Sequence, residues 1–155
     1  RIQVEHPITE MVSGVDLVKE QIRIAANITL RFKQEDVAPR GHAIECRITA
    51  EDSATMLPST GRILNVHVPG GNGIRVDSSV YAGYTVTPFY DSLLAKLIVH
   101  ASDRHEALAK MRRALNEMQI EGISTSLELH RAILEDEEFL QGNLTTNFLN
   151  RFLRK

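Results

Sequence analysis

The chain has 155 residues, enough for one domain or one domain plus part of another. Its apolar fraction is 43%, its charged fraction 25%, and 18 Lys and Arg against 20 Asp and Glu leave a formal net charge of −2. That balance argues against nucleic acid or an anionic membrane as a partner, no apolar run approaches the roughly 20 residues that span a bilayer, and the N-terminus has no signal-peptide pattern. Cys46 is the single cysteine, so no intrachain disulfide can form and a reducing, cytoplasmic setting is expected. It falls within an alternating strand pattern, where a buried inert thiol is the expectation. The chain opens at Arg1 in what reads as mid-strand, which suggests a truncation.

Residues 1–5 alternate polar and apolar. Read as a strand, they place Arg1, Gln3 and Glu5 on one face and Ile2 and Val4 on the other. His6-Pro7 would end that strand, because Pro cannot donate to a ladder. Leu17, Val18, Ile22 and Ala25 give residues 15–26 an apolar stripe at helical period. Residues 27–41 read as loop with a short helical or extended piece. Ile44, Cys46, Ile48 and Ala50 alternate with Glu45, Arg47 and Thr49, the pattern of a half-buried strand over 42–50. After a loop at 51–61, residues 62–68 alternate again, with Leu64, Val66 and Val68 predicted on one face. Pro69-Gly70-Gly71-Asn72-Gly73 is a turn, and Ile74-Arg75-Val76 would return from it as a hairpin. Residues 93–100 are nearly all apolar, as in a central strand covered on both faces.

The last third reads as helical. Asp103 with Glu106 and Thr125 with Glu128 fit capping boxes. Leu108, Met111, Leu115 and Met118 follow the first, and Leu129, Ile133 and Leu134 the second. Gly142 stops a short acidic piece. Phe148, Leu149, Phe152 and Leu153 form a final stripe. Antiparallel strands followed by helices define an α+β fold.

Several side chains could carry chemistry. A small planar anion fits between groups two residues apart on a strand, held by the forked guanidinium of Arg1. Glu5 beside it could serve as a general base once partial burial raises its basicity. Arg47, next to Glu45 on the polar face of its strand, could stabilise a developing oxyanion. Spacing by itself favours a plainer role for each, a solvent-facing edge or a local ion pair. The six histidines, His6, His42, His67, His100, His105 and His130, show no helical zinc spacing and are read as surface or packing residues, none a metal ligand. Gly70, Gly71 and Gly73 lie between strands, which favours a turn over a phosphate loop. Asp91 heads an apolar strand, where it could orient Arg47 or simply cap the strand end.

The run Arg1-Ile2-Gln3-Val4-Glu5-His6-Pro7-Ile8-Thr9-Glu10-Met11 closely resembles the signature at the end of the ATP-grasp region of biotin carboxylases. The resemblance continues through Gly14-Val15-Asp16-Leu17, Arg40-Gly41-His42-Ala43-Ile44-Glu45-Cys46-Arg47-Ile48, Ala50-Glu51-Asp52, Gly83-Tyr84, Tyr90-Asp91-Ser92 and Lys96-Leu97, and so covers essentially the whole chain. It implies that residues 1–36 are the end of an ATP-grasp domain and residues 37–155 the biotin carboxylase C-terminal domain. His6-Pro7 looks more like the acetyl-CoA carboxylase subunit, which serves fatty acid synthesis, than like pyruvate carboxylase.

By resemblance, Glu5 matches the base that deprotonates bicarbonate, and carbonate then attacks ATP to give carboxyphosphate. Arg1, Gln3 and Val4 match the bicarbonate-binding positions. Arg47 matches the arginine that stabilises the enolate-like form of biotin before carboxybiotin forms. ATP, Mg²⁺, biotin and bicarbonate are thus the implied cofactors and substrates, with the Mg²⁺ and ATP ligands expected upstream of Arg1. The isolated chain is therefore expected to be inactive. The implied partners are the biotin carboxyl carrier protein, the carboxyltransferase subunits and a second copy in a homodimer. Arg75 matches an interface arginine, whereas Asn72 stands where an aromatic is expected. Two alternatives stay open: a non-catalytic dimerisation or interaction module, and the equivalent part of a pyruvate or propionyl-CoA carboxylase.

Overall fold

The structure, a computed structural model, describes residues 1–154. Two helices, α1 (His6–Ser13) and α2 (Leu17–Ala25), lead through a 3₁₀ turn at Gln34–Asp36 into β1 (His42–Thr49). Then come β2 (Gly61–Arg62), β3 (Asn65–His67), β4 (Ile74–Ser78), β5 (Thr85–Val86) and β6 (Leu93–Ala101). The chain ends with α3 (Arg104–Glu117), β7 (Gln119–Glu121), α4 (Leu127–Ile133), α5 (Glu137–Gln141) and α6 (Phe148–Phe152). The expected α+β class is found. Among the described residues no helix is long and apolar enough to cross a membrane.

The centre is an antiparallel sheet in the order β1-β6-β4. Its two faces differ sharply because side chains alternate. One face presents Ile44, Cys46 and Ile48 of β1, Ala95, Leu97 and Val99 of β6, and Ile74 and Val76 of β4. These pack with Ala107, Leu108, Met111, Ala114 and Leu115 of α3. Each such large apolar side chain contributes about 1.5–3 kcal/mol when fully buried. The opposite face is charged. Register places Arg47 and Asp77 on either side of Lys96, and Glu45 and Arg75 on either side of Ile98.

Residues 1–16 cover that charged face. Three bonds tie them down: Arg47 Nη2 to Glu5 Oε2 at 2.7 Å, Lys96 Nζ to the Val4 carbonyl at 3.3 Å, and Arg75 Nη1 to Glu10 Oε2 at 2.6 Å. Pro7 and Ile98 are both fully buried. Glu10 also accepts the Leu17 N–H at 2.7 Å, so one carboxylate joins α1, the start of α2 and β4. The glycine at Gly41, where the chain enters β1, is required on two counts. Its φ is +69°, and a Cβ there would lie 2.1 Å from the Ala101 carbonyl oxygen.

Several local expectations are corrected. Residues 1–5 form no strand, and His6-Pro7 starts a helix instead of ending a strand, because Pro is tolerated in the first helical turn where N–H groups need no partner. Residues 62–68 are not one strand. Ile63 is fully buried, whereas Leu64 is 67% exposed, so the predicted Leu64–Val66–Val68 face is not the core face. The break lets β2 pair with β5 and β3 with β7. The turn at 69–73 therefore joins strands of different sheets, since β4 pairs with β6 and no hairpin forms. Asp103 caps α3 as expected, accepting the Glu106 N–H at 2.9 Å, but Glu106 bonds to Ser102 N–H at 3.0 Å. Thr125 caps nothing: Ser126 is the N-cap of α4, and its hydroxyl faces β1 instead.

Replacing Glu10 by Ala removes the acceptor for Leu17 and one of the two carboxylates that hold Arg75. Chemical denaturation of Glu10→Ala is expected to show a loss of roughly 1–3 kcal/mol. An unchanged unfolding midpoint would mean that this carboxylate does not hold α1 to the sheet.

Candidate functional site

The segment before α1 is a tight turn. His6 N–H donates to the Gln3 carbonyl at 3.2 Å, and His6 Nδ1 to the same oxygen at 2.7 Å. Glu5 occupies the N-cap position of α1 but makes no side-chain cap bond, which leaves its carboxylate to reach Arg47. The turn brings Arg1, Gln3 and Glu5 to one cavity of about 370 Å³, whose lining also includes His6, Thr9 and Leu17. The three residues line one cavity, yet not through strand alternation, because Ile2 lines it as well. The Glu5 side chain is 47% exposed, so its carboxylate is only half enclosed. Val4 offers its carbonyl to Lys96.

Arg47 stands at the join between this cavity and the sheet. Besides the Glu5 bond, its Nε lies 3.9 Å from Glu45 Oε1. Glu45 is otherwise enclosed: its side chain is 3% exposed, and its Oε2 is buried without a hydrogen-bond partner. Burial pushes the Glu45 carboxyl above its ordinary range, against the opposing pull of Lys96 and Arg47. Arg47's backbone is fixed from the far side. Its carbonyl accepts Ser126 Oγ at 3.2 Å and His130 Nε2 at 2.8 Å. A carbonyl only accepts, so His130 carries its proton on Nε2.

Asp91 does not reach Arg47. It accepts the Leu93 N–H at 2.8 Å, a strand-end cap. All three nitrogens of the Arg75 guanidinium bond within the chain, two to Asp77 and one to Glu10, and these bonds hold the Asp77 carboxyl below its usual range. Burial pushes the Cys46 thiol up to about 12, which keeps it protonated and unreactive at neutral pH. Among the described residues, no group of three or more His, Cys, Asp and Glu is placed to hold a metal ion.

Sequence patterning did not point to Lys96 or His130 as site neighbours. Lys96 had a signal, a lone positive charge inside the apolar run of β6. His130 had none, because its bond to Arg47 spans 83 residues of sequence.

Burial holds His130 below the ordinary imidazole value of 6.5 and outweighs the upward pull of its bond to the Arg47 carbonyl. The unfolded chain therefore takes up this proton first. The native state keeps its full stability above that value and loses it as pH falls below. Between about pH 7.5 and about pH 5.5, the protein is expected to lose more stability than His130→Gln does. Parallel pH profiles for the two proteins would show that His130 is not held neutral.

Two family models match the chain. Residues 45–151 match the biotin carboxylase C-terminal domain, and residues 1–33 match the ATP-binding domain of the carbamoyl-phosphate synthase L chain. The chain is 56% identical over 153 residues to a biotin carboxylase of Haemophilus influenzae, a match covering 99% of this chain and 34% of the relative. It is 54% identical over 155 residues to a pyruvate carboxylase subunit of Methanothermobacter thermautotrophicus, covering 99% of this chain and 32% of that protein. A solved structure, the biotin carboxylase domain dimer of Hydrogenobacter thermophilus 2-oxoglutarate carboxylase with MgADP, ADP and bicarbonate, superposes with a TM-score of 0.95 at 51% identity. That match covers 97% of this chain and 34% of that one. The chain thus spans about a third of the length of the relatives it matches.

Proposed function

The chain belongs to the biotin carboxylase family, and from that premise we propose that it supplies the bicarbonate and biotin side of the carboxylation site of a longer enzyme. In this reading residues 1–36 close an ATP-grasp domain and residues 37–155 form the C-terminal domain. The observation that carries it is the 2.7 Å ion pair between Glu5 and Arg47, set beside a cavity lined by Arg1, Gln3 and Glu5.

Bicarbonate enters that cavity and meets the Arg1 guanidinium, with Gln3 as a further polar contact. Glu5 takes the hydroxyl proton: the bicarbonate O–H bond breaks, a carboxyl O–H forms, and carbonate remains as the nucleophile toward ATP. Among the described residues no acidic cluster is placed to hold Mg²⁺, and in this reading the groups that hold ATP and the metal belong to other parts of the enzyme. Proton uptake cancels the charge with which Glu5 holds Arg47. The guanidinium is then free to face a second anion, the oxygen of the enolate-like ureido group of biotin, while biotin is carboxylated. Aiming a fixed cation at charge that develops only in the transition state is worth about 3–4 kcal/mol.

The biotin arrives on a carrier protein, and a carboxyltransferase receives the product. The homodimer is the assembly proposed for the full enzyme, with Arg75 near the interface. Whether the acceptor is acetyl-CoA, as His6-Pro7 suggests, or another acyl-CoA or keto acid is decided by that transferase.

Three outcomes test the reading. In a full-length enzyme containing this chain, Glu5→Gln is expected to lower carboxylation by roughly 10²–10⁴-fold. Near-normal turnover would remove Glu5 from its role. Arg47→Gln is expected to impair biotin carboxylation more than bicarbonate-dependent ATP cleavage, and equal losses would count against it. The chain alone should show no bicarbonate-dependent ATP hydrolysis with free biotin; clear turnover would contradict the division of labour proposed here.

A further inference from the structure

Arg47 has a carboxylate near each of two guanidinium nitrogens. Glu5 sits at Nη2 and Glu45 at Nε. The two acids differ in exposure: the Glu5 side chain is 47% exposed, that of Glu45 only 3%. They also differ in backbone support, since Glu5 belongs to a turn and Glu45 to a strand paired along its length with β6. We propose that Glu45 is a positioning residue for biotin carboxylation, holding the Nε edge of Arg47 in place when Glu5 takes up the bicarbonate proton.

Once Glu5 is neutral, Nη2 of Arg47 loses its anion. A half-exposed arginine has many rotamers and needs a second restraint to stay aimed. Glu45 is the remaining carboxylate paired with it. The groups facing Glu45 are Arg47 on its own strand, Lys96 on β6, and Glu5 and His6 at the start of α1. Two cations therefore oppose the effect of burial on this acid, and Lys96 in turn is steadied by Asp77 at 3.6 Å and by the Val4 carbonyl.

Stability alone does not account for this carboxylate. A buried charge is costly to desolvate, and the Glu45 Oε2 atom recovers nothing from a hydrogen bond. Burial raises its carboxyl group's affinity for a proton, the mark of a charge held at a cost. The neutral isostere Gln fits the same space and escapes that penalty. A residue kept for aim and a residue kept for stability thus respond in opposite ways to Glu45→Gln.

The inference rests on the proposed role of Arg47, so Glu45→Gln, Arg47→Gln and the double variant are compared in the full-length enzyme. The readouts are kcat and KM for biotin, bicarbonate-dependent ATP cleavage without biotin, and thermal unfolding. Glu45→Gln is expected to lower kcat for biotin by about 10²-fold. ATP cleavage should stay within about twofold of the parent, with an unfolding temperature equal or higher. In the Arg47→Gln background it should add no further loss, because the side chain it aims is gone. Normal biotin turnover in Glu45→Gln overturns the proposal. So does a fall in unfolding temperature with both activities dropping together, or a loss that multiplies with that of Arg47→Gln. If Arg47→Gln itself turns biotin over normally, the reading of Arg47 falls and the positioning role falls with it. Loss in Arg47→Gln but not in Glu45→Gln overturns the positioning role alone.

Discussion

One face of a three-stranded sheet is charged where a sheet face would ordinarily be apolar, and the rest of the structure answers to it. Glu45, Arg47, Lys96, Arg75 and Asp77 share that face by register. Such a surface cannot be covered by a greasy helix. It is covered by a segment that presents a carboxylate, a carbonyl and another carboxylate, from Glu5, Val4 and Glu10. The same contacts that fasten residues 1–16 place Glu5 against Arg47. The attachment of residues 1–16 and the placement of Glu5 therefore come from one set of interactions.

The opposite face explains why this arrangement can persist. Leu97, Ile48, Met111 and Leu115 are fully buried in a core shared by β1, β6 and α3. That core fixes the register between β1 and β6, and hence the position of Arg47 beside Lys96. His130 and Ser126 then clamp the Arg47 carbonyl from the α4 side. The guanidinium thus extends from a backbone held at several points, which suits the anion exchange proposed for it.

The sequence was readable where the physical signal was local. The alternation of β1, the apolar run of β6 and the helical period of α3 each survive because a single face or two faces are buried over many residues. Residues 1–5 misled because five alternating residues with no partner strand carry no register, and Pro7 has two compatible readings, strand end or helix start. The stretch 62–68 misled because Ile63, not Leu64, enters the core, and the strands on either side of it bond to segments far along the chain. The Arg1–Glu5 run and the Arg47 block marked candidate site residues, but local pattern did not announce how they are joined. Glu45's burial, Lys96's bridge to Val4 and His130's grip on Arg47 all depend on long-range packing that no local pattern announces.

Amide hydrogen exchange across the joint between residues 1–16 and the sheet tests the central claim most directly. With Arg75 replaced by Leu, the charged face loses its bond to Glu10 while the core beneath is untouched. Amides of α1 should then exchange much faster while those of β6 keep their protection. If α1 stays as protected as β6, the charged face is not what holds this segment, and the placement of Glu5 against Arg47 needs another cause.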